Sequence, residues 1–540
     1  MRPYLRGAAP TVRRGRKEGE TVFRKRNLIG RKNIIRSPKD ATERIVRFYI
    51  LFAAVALFLT AEMAFFTRGN SIRDSLFWNG SSSDHFMDFF NSIRDARDLS
   101  WIYQRNIIYP PLSILIMHFF SKILPREVVF LKFAKRSIIQ KSQAGQMLYF
   151  FFALICLLAF AYMISRYTRI RGLKKSRYFV ILFCIISFPV IYCFERGNTT
   201  LLTMDFCMFF IFFRNEEQRS VRETAYIMLA LAAGLKLFPA LLGVLLIYDR
   251  QYKAAVRTVF YGVAALAIPY VLILLLTPEK GGIYSRFMRQ QGNTAAMIST
   301  FIPLEIKHRD GSAVDPDGSL MRLIKNIFRW IGKRGSFSYN SAGIADLVYI
   351  LRRNKLITKD QTQKLAAAAF IASEIFMFLL GFICKKDWQR TFIGVYLMLN
   401  IHSISMHYTM VYLMPVFVVF LMSLRDRERP GVLNWVYFAM FGIQVFTLPY
   451  MLIGLRTKIN QFLATSLHLP AVASFNKMLS CVCFQLFAVI VAADIIVTFV
   501  WRVMQSRNLV IPDDDLTVEV KKKPSRPKRV RRSRDLEVEY

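Results

Sequence analysis

Acidic residues are scarce in this chain. Asp and Glu number 36 against 75 Lys and Arg in 540 residues, and there are only 6 His. Cysteine is rare too. The seven, at positions 156, 184, 193, 207, 384, 481 and 483, all lie in hydrophobic runs. An odd number in such places argues against a disulfide framework, and no spacing suits zinc, so core packing is the expected role. The chain also lacks polar punctuation. Several stretches of about 20 residues carry almost no charge, the length that spans a bilayer core of roughly 30 Å. That excludes an ordinary soluble domain, which needs a polar face on each helix.

What is present fits that exclusion. The chain is 54% hydrophobic, with 48 Phe, and its mean hydropathy is +0.31. The net charge of +39 would point to nucleic acid if it covered a soluble fold. Here it is concentrated at the ends and between hydrophobic runs. Residues 1–47 hold 15 Lys/Arg against 4 acids, and residues 502–540 hold 11 Lys/Arg. The distribution matches the positive-inside rule and contact with anionic lipid headgroups, not nucleic-acid binding. The polar, basic start predicts no cleavable signal before the first span.

Hydrophobic runs begin at Ile45–Phe66. They continue near Met147–Ser165, Tyr178–Cys193, Thr199–Phe213, Thr224–Leu235, Phe238–Tyr248 and Ala254–Leu276. The last group is Leu365–Cys384, Thr391–Ser405, Tyr408–Leu424, Leu433–Leu452 and Asn476–Trp501. The basic connectors "RYTRIRGLKKSR", "RNEEQRSVR", "YDRQYK", "CKKDWQR" and "LRDRERP" all want the cytoplasmic side. With both termini inside, about twelve crossings satisfy all five. The expected class is an all-α, polytopic transmembrane helical bundle spanning 45–501, with basic tails at 1–44 and 502–540. The final "KKKPSRPKRVRRSRDLEVEY" has a disordered composition. Polar segments 67–145 and 277–363 then stand on the outer face. The twelve-span count requires Tyr109–Leu124 to lie along that interface. If it crosses instead, "RYTRIRGLKKSR" moves outside, and the charge counts leave both arrangements open.

Several ionisable groups interrupt this apolar pattern. In "SDHFMDFFNSIRDARD", Asp84 and Asp88 are four apart and share a face if the segment is helical. A carboxylate at the membrane edge is suited to general-base work; a solvated acidic loop is the plainer reading. "CFERGNTTLL" places Glu195, Arg196, Gly197 and Asn198 between two hydrophobic runs. An ion pair there is costly unless it lines a wet cavity, though an interfacial turn with a snorkelling Arg has the same look. Lys236 sits mid-way through "LALAAGLKLFPALLG". Two short helices broken at Pro239 would carry it to the outer face, where a cation suits a phosphate. His402 and His407 are five apart and share a face poorly, so a metal site is weak. His407 can protonate or bond an anion, or can simply be packed. Asn340 and Ser341, in "GSFSYNSAGIADL", offer groups of the kind that read sugar hydroxyls, as any polar turn does.

The motifs "DFFNSIRDA", "IIYPPL", "ERGNTTLLTM", "AAGLKLFPALLGVLLIYDR", "YNSAGI" and "SMHYTMVYLMP" together resemble the GT-C superfamily of membrane glycosyltransferases. Their order and spacing are most similar to glycosyltransferase family 87, which contains polyprenyl-phosphate-mannose-dependent mannosyltransferases. The resemblance implies a GT-C fold with outer juxtamembrane helices and a polyprenyl-phosphate-linked sugar as donor. It also implies a glycan or glycolipid acceptor and catalysis on the extracytoplasmic face of a bacterial plasma membrane. It casts Asp88 as general base and His407 as a residue near the donor phosphate. Lys236, Arg196 and Asn198 fall at the same anion. Asp84, Tyr109, Asn340, Ser341 and His402 are weaker candidates for contact with sugar or acceptor. A lipid-linked sugar transporter and a non-catalytic assembly factor are the rival readings. A transporter should show two related halves with ionisable groups near the midplane, and no repeat is evident.

Overall fold

The computed structural model describes residues 85–99, 109–129, 136–173, 176–277, 357–401, 407–424, 431–445 and 475–506. Single positions within 43–58 and 343–352 are also described. Asp84, Asn340, Ser341 and His402 lie outside the described residues, as do nearly all of both expected tails and most of 277–342. Among the described residues every regular element is helical.

The helices are α1 Met87–Ala96, α2 Pro111–Ile123, α3 Arg136–Lys141, α4 Gln143–Ile170, α5 Ser176–Ile185, α6 Phe188–Arg196, α7 Thr200–Phe213 and α8 Arg219–Leu235. After a 3-10 turn at Phe238–Gly243 come α9 Val244–Tyr248, α10 Tyr252–Leu276, α11 Lys359–Ile383 and α12 Asp387–Ile401. A second 3-10 turn, His407–Tyr412, leads into α13 Leu413–Ser423, α14 Val432–Val445 and α15 Phe475–Ser506.

Four of these are long and apolar enough to cross a membrane: α4, α10, most of α11 and most of α15. Helices α5 and α6 would make a fifth if taken together; they meet at a bend of 46°. The uninterrupted run Tyr178–Cys193 is thus two helices, because Pro189 sits in the first turn of α6 and cannot donate back to α5. Several other runs also become apolar helices of 10–17 residues. The lipid-facing surface is visible directly. Phe150, Phe151, Leu154 and Leu158 on α4 are exposed, as are Val256, Val259, Phe260 and Val263 on α10. Rows of this kind mark a surface that meets hydrocarbon, since soluble monomers rarely expose contiguous apolar patches of this size.

The segment 67–145 is not a plain loop. It contains α1, α2 and α3, with α2 packed on α1, α8 and α10. Helix α2 begins with Pro111 at its first position, where the missing N–H costs nothing. Its 13 residues extend about 20 Å, short of the bilayer core.

The basic connectors come together at one end of the bundle. Arg214 bonds Asp249 at 3.1 Å and also pairs with Asp387. Arg390 reaches Asp249 at 2.7 Å. Tyr167, near the end of α4, stacks on Phe212 at 4.2 Å. Four connectors, after α4, α7, α9 and α11, therefore share an end. Lys386, Gln389 and Tyr437 converge on Asp494 and tie α12 and α14 to α15.

Candidate active site

At the opposite end, α6 stops at Gly197, which adopts φ 65°. That left-handed conformation costs glycine nothing. Phe86 approaches this glycine closely and donates its N–H to the Glu195 carbonyl at 2.7 Å. Rings of Tyr149, Phe150 and Phe194 surround Phe86. The start of α1 is thereby locked against the α6–α7 turn. Helix α1 buries Phe89, Phe90, Ile93 and Ala96. Its other face turns Asp88, Asn91, Ser92 and Asp95 towards a cavity of about 210 Å³ that Tyr109 and Ser113 also line.

Asp88 is held on both oxygens. Oδ1 accepts from Arg196 Nη2 at 3.0 Å and Oδ2 from Asn198 Nδ2 at 2.8 Å. The amide oxygen of Asn198 accepts from the Thr200 hydroxyl at 2.8 Å and the Thr200 N–H at 3.1 Å. Lys236 Nζ in turn donates to Thr200 Oγ1 at 2.7 Å. An unbroken polar path therefore runs from carboxylate to ammonium, from α1 through the α6–α7 turn to the end of α8.

The sequence prepared Lys236 for this position. Helix α8 ends at the lysine, whose backbone is extended. Pro239 then opens the 3-10 turn, and α9 returns towards the Arg214 end, where Gln251 accepts from the Tyr226 hydroxyl of α8. The expected hairpin broken at Pro239 is present, with Lys236 at its tip. Rings of Tyr408, Tyr109 and Phe238 lie 5.8, 6.0 and 6.0 Å from Nζ, within cation–π range. Lys236 stands outside the candidate spans. Burial lowers its pKa from the ordinary lysine value to about 8, against smaller opposing effects of Cys193 and Asp88. Burial, aided by the Asp88 charge, also pushes the Tyr109 phenol up.

The candidates divide as follows. Asp88, Arg196, Asn198, Lys236 and Tyr109 come together. His407 opens the 3-10 turn against α6, but its side chain lies outside the described residues; its neighbour Tyr408 is the residue against Lys236. Sequence reasoning passed over Thr200, Tyr408, Ser92 and Ser113. The signal was that Ser92, Thr200 and Tyr408 lie inside the "DFFNSIRDA", "ERGNTTLLTM" and "SMHYTMVYLMP" motifs. Ser113 Oγ is buried without a hydrogen-bond partner among the described residues and belongs to a residue lining the cavity.

An all-helical bundle with lipid-facing rows and a polar pocket at one end is a membrane protein with an ionisable site. Residues 107–301 match glycosyltransferase family 87. The resemblance to that glycosyltransferase family is borne out over this stretch, about a third of the chain. The matched stretch carries Tyr109, Arg196, Asn198, Thr200 and Lys236; Asp88 and the 3-10 turn at His407 lie outside it. No curated protein and no solved structure matches the chain.

Proposed function

We propose that the protein moves a sugar from a polyprenyl-phosphate donor to a hydroxyl of a lipid-linked or cell-envelope acceptor. The reaction takes place at the end of the bundle that holds Asp88 and Lys236. The supporting observation is the path Asp88–Asn198–Thr200–Lys236 beside the cavity. Opposite charges at its two ends suit the two changes a glycosyl transfer demands.

The acceptor hydroxyl attacks the anomeric carbon and loses its proton to Asp88. The bond from that carbon to the phosphate oxygen breaks, and the lipid phosphate leaves with the electron pair. Each carboxylate oxygen accepts one hydrogen bond and keeps a lone pair for the incoming hydroxyl. Arg196 and Asn198 fix its direction. Lys236 and the remaining guanidinium N–H groups of Arg196 stabilise the phosphate as charge builds up, and the family resemblance casts His407, at the start of the 3-10 turn, near the same phosphate. Asn91, Ser92 and Ser113 offer groups that bond acceptor hydroxyls. One displacement inverts the anomeric centre. Placing the pocket end outside, with the basic connectors and both termini in the cytoplasm, follows the positive-inside rule.

Sugar transfer in membranes supplied with polyprenyl-phosphate sugar tests this reading. Asp88→Asn and Asp88→Ala are both expected to lose transfer while protein level and solubility in detergent hold. Full activity in either variant removes Asp88 from the mechanism; sugar uptake without transfer supports a transporter instead.

A further inference from the structure

A second cleft, of about 940 Å³, opens at the end of the bundle remote from Asp88. It lies where α8, α9 and α10 converge with the end of α11. Six of its lining side chains are Arg or Lys, and one, Asp249, is acidic. Asp249 offers no negative charge to a ligand. It already accepts from Arg214, Asn215 and Arg390. Arg257 is paired with Glu223 at 2.8 Å. Arg250, Lys253 and Lys385, by contrast, have no hydrogen-bond or ion-pair partner for their side chains among the described residues.

The surroundings say what kind of anion fits. The cleft opens at the head of two lipid-facing rows. Val256, Val259 and Phe260 run down α10 from Lys253, and Phe382 and Leu379 run down α11 from Lys385. Between them the Tyr248 ring packs on Gly381, and its hydroxyl bonds the Phe378 carbonyl at 3.0 Å. A ligand with a phosphate head and two apolar tails meets cations first and hydrocarbon-compatible surface directly below. A free phosphate would use only the cations.

We propose that this cleft holds one anionic phospholipid of the adjoining leaflet. Its phosphate sits among Arg250, Lys253 and Lys385, and its acyl chains lie along α10 and α11. This differs from the diffuse attraction of basic loops to a charged membrane. It is a single seat with a fixed floor, made by the contacts of buried Arg214 and half-buried Arg390 with Asp249. The seat lies at the open end of the α8–α9 hairpin whose tip carries Lys236.

Native mass spectrometry of the full-length protein tests this, after extraction from an equimolar mixture of phosphatidylglycerol and phosphatidylcholine. The wild type should retain one phosphatidylglycerol. The triple variant Arg250→Gln, Lys253→Gln, Lys385→Gln should bind it roughly a hundredfold more weakly, at about fivefold per cation. Arg169→Gln, Arg171→Gln, Arg219→Gln removes the same charge at the same end but outside the cleft, and should retain the lipid. Equal loss in both triple variants would mean diffuse charge and overturn the proposal. So would equal retention of phosphatidylcholine, or displacement of the lipid by inorganic phosphate at matched concentration, which would mean a free-anion site. If the cleft triple variant aggregates, Lys253→Gln alone, exposed and unpaired, should still show about a fivefold loss, and wild-type retention in it would refute the seat.

Discussion

Replacing Gly197 by alanine tests whether the α6–α7 turn positions the carboxylate. A Cβ at this glycine would stand 2.9 Å from the Phe86 Cα, 3.0 Å from the Phe86 carbonyl oxygen and 3.0 Å from the Phe89 Cβ. None of these three is the far end of a flexible side chain, so α1 itself must retreat by roughly half an ångström to reach ordinary contact at 3.4 Å. The left-handed φ adds about 1–2 kcal/mol for any residue with a Cβ. Loss of the 2.7 Å bond from Phe86 to Glu195 adds about 1 kcal/mol. Destabilisation of about 2–3 kcal/mol is expected. Asp88 is two residues from Phe86 and moves with it. A 1 Å error at a reacting group can cost about a hundredfold, so half of that predicts a fall of about tenfold in kcat. The assay is transfer with reconstituted protein, read beside thermal stability. The control is Gly262→Ala on α10, where a Cβ meets nothing within 4 Å; it should leave the rate unchanged. If Gly197→Ala matches that control in both rate and melting, the turn does not place the carboxylate.

Three further outcomes are expected. Lys236→Met should lower kcat by about 10²–10³ while altering KM less, because the ammonium acts most on charge that develops during the reaction; a pure KM effect would reduce Lys236 to donor binding. With a lysine pKa of about 8, the charged form dominates below that pH, so transfer should decline as pH rises through 8, and Lys236→Arg should abolish that decline at a lower overall rate. Arg214→Met should destabilise the protein by about 1–3 kcal/mol, since Asp249 loses one partner but keeps Arg390 and Asn215 and Asp387 is open to solvent; melting temperature in detergent checks it, and an unchanged value would show the pair to be dispensable.

Much of the site could be read from residue type alone. Asp88, Arg196 and Lys236 are ionisable groups in apolar surroundings, and such groups are expensive enough to need a reason. The hairpin was legible because Pro239 cannot continue α8. Thr200 was not legible. A threonine at the head of an apolar helix looks like packing, and only the lysine from a segment 36 residues away turns its hydroxyl into a relay. Tyr408 was hidden by its neighbour. A histidine draws attention by its charge, yet an aromatic ring meets an ammonium equally well. Hydropathy and helix bounds also part company within a span. Hydropathy follows runs of residue type, whereas helices follow hydrogen bonds, so Pro189 divides one run into α5 and α6 without changing its hydropathy.

The hairpin also accounts for a residue that the chemistry does not use. Arg214 is buried to 1% exposure at the end far from Asp88, and a buried ion pair is often no better for stability than a hydrophobic substitute. Its value lies in what it requires. Its guanidinium reaches Asp249 and Asp387 only when the end of α9 and the start of α12 meet the end of α7 in one arrangement. That arrangement sets the base of the hairpin, and close packing passes it along α8 to the tip. Lys236 then reaches Thr200 because both ends of the hairpin are fixed, one by this ion pair and the other by the lysine's own hydrogen bond. Weakening the base should therefore loosen the cation at the tip before it unfolds the bundle.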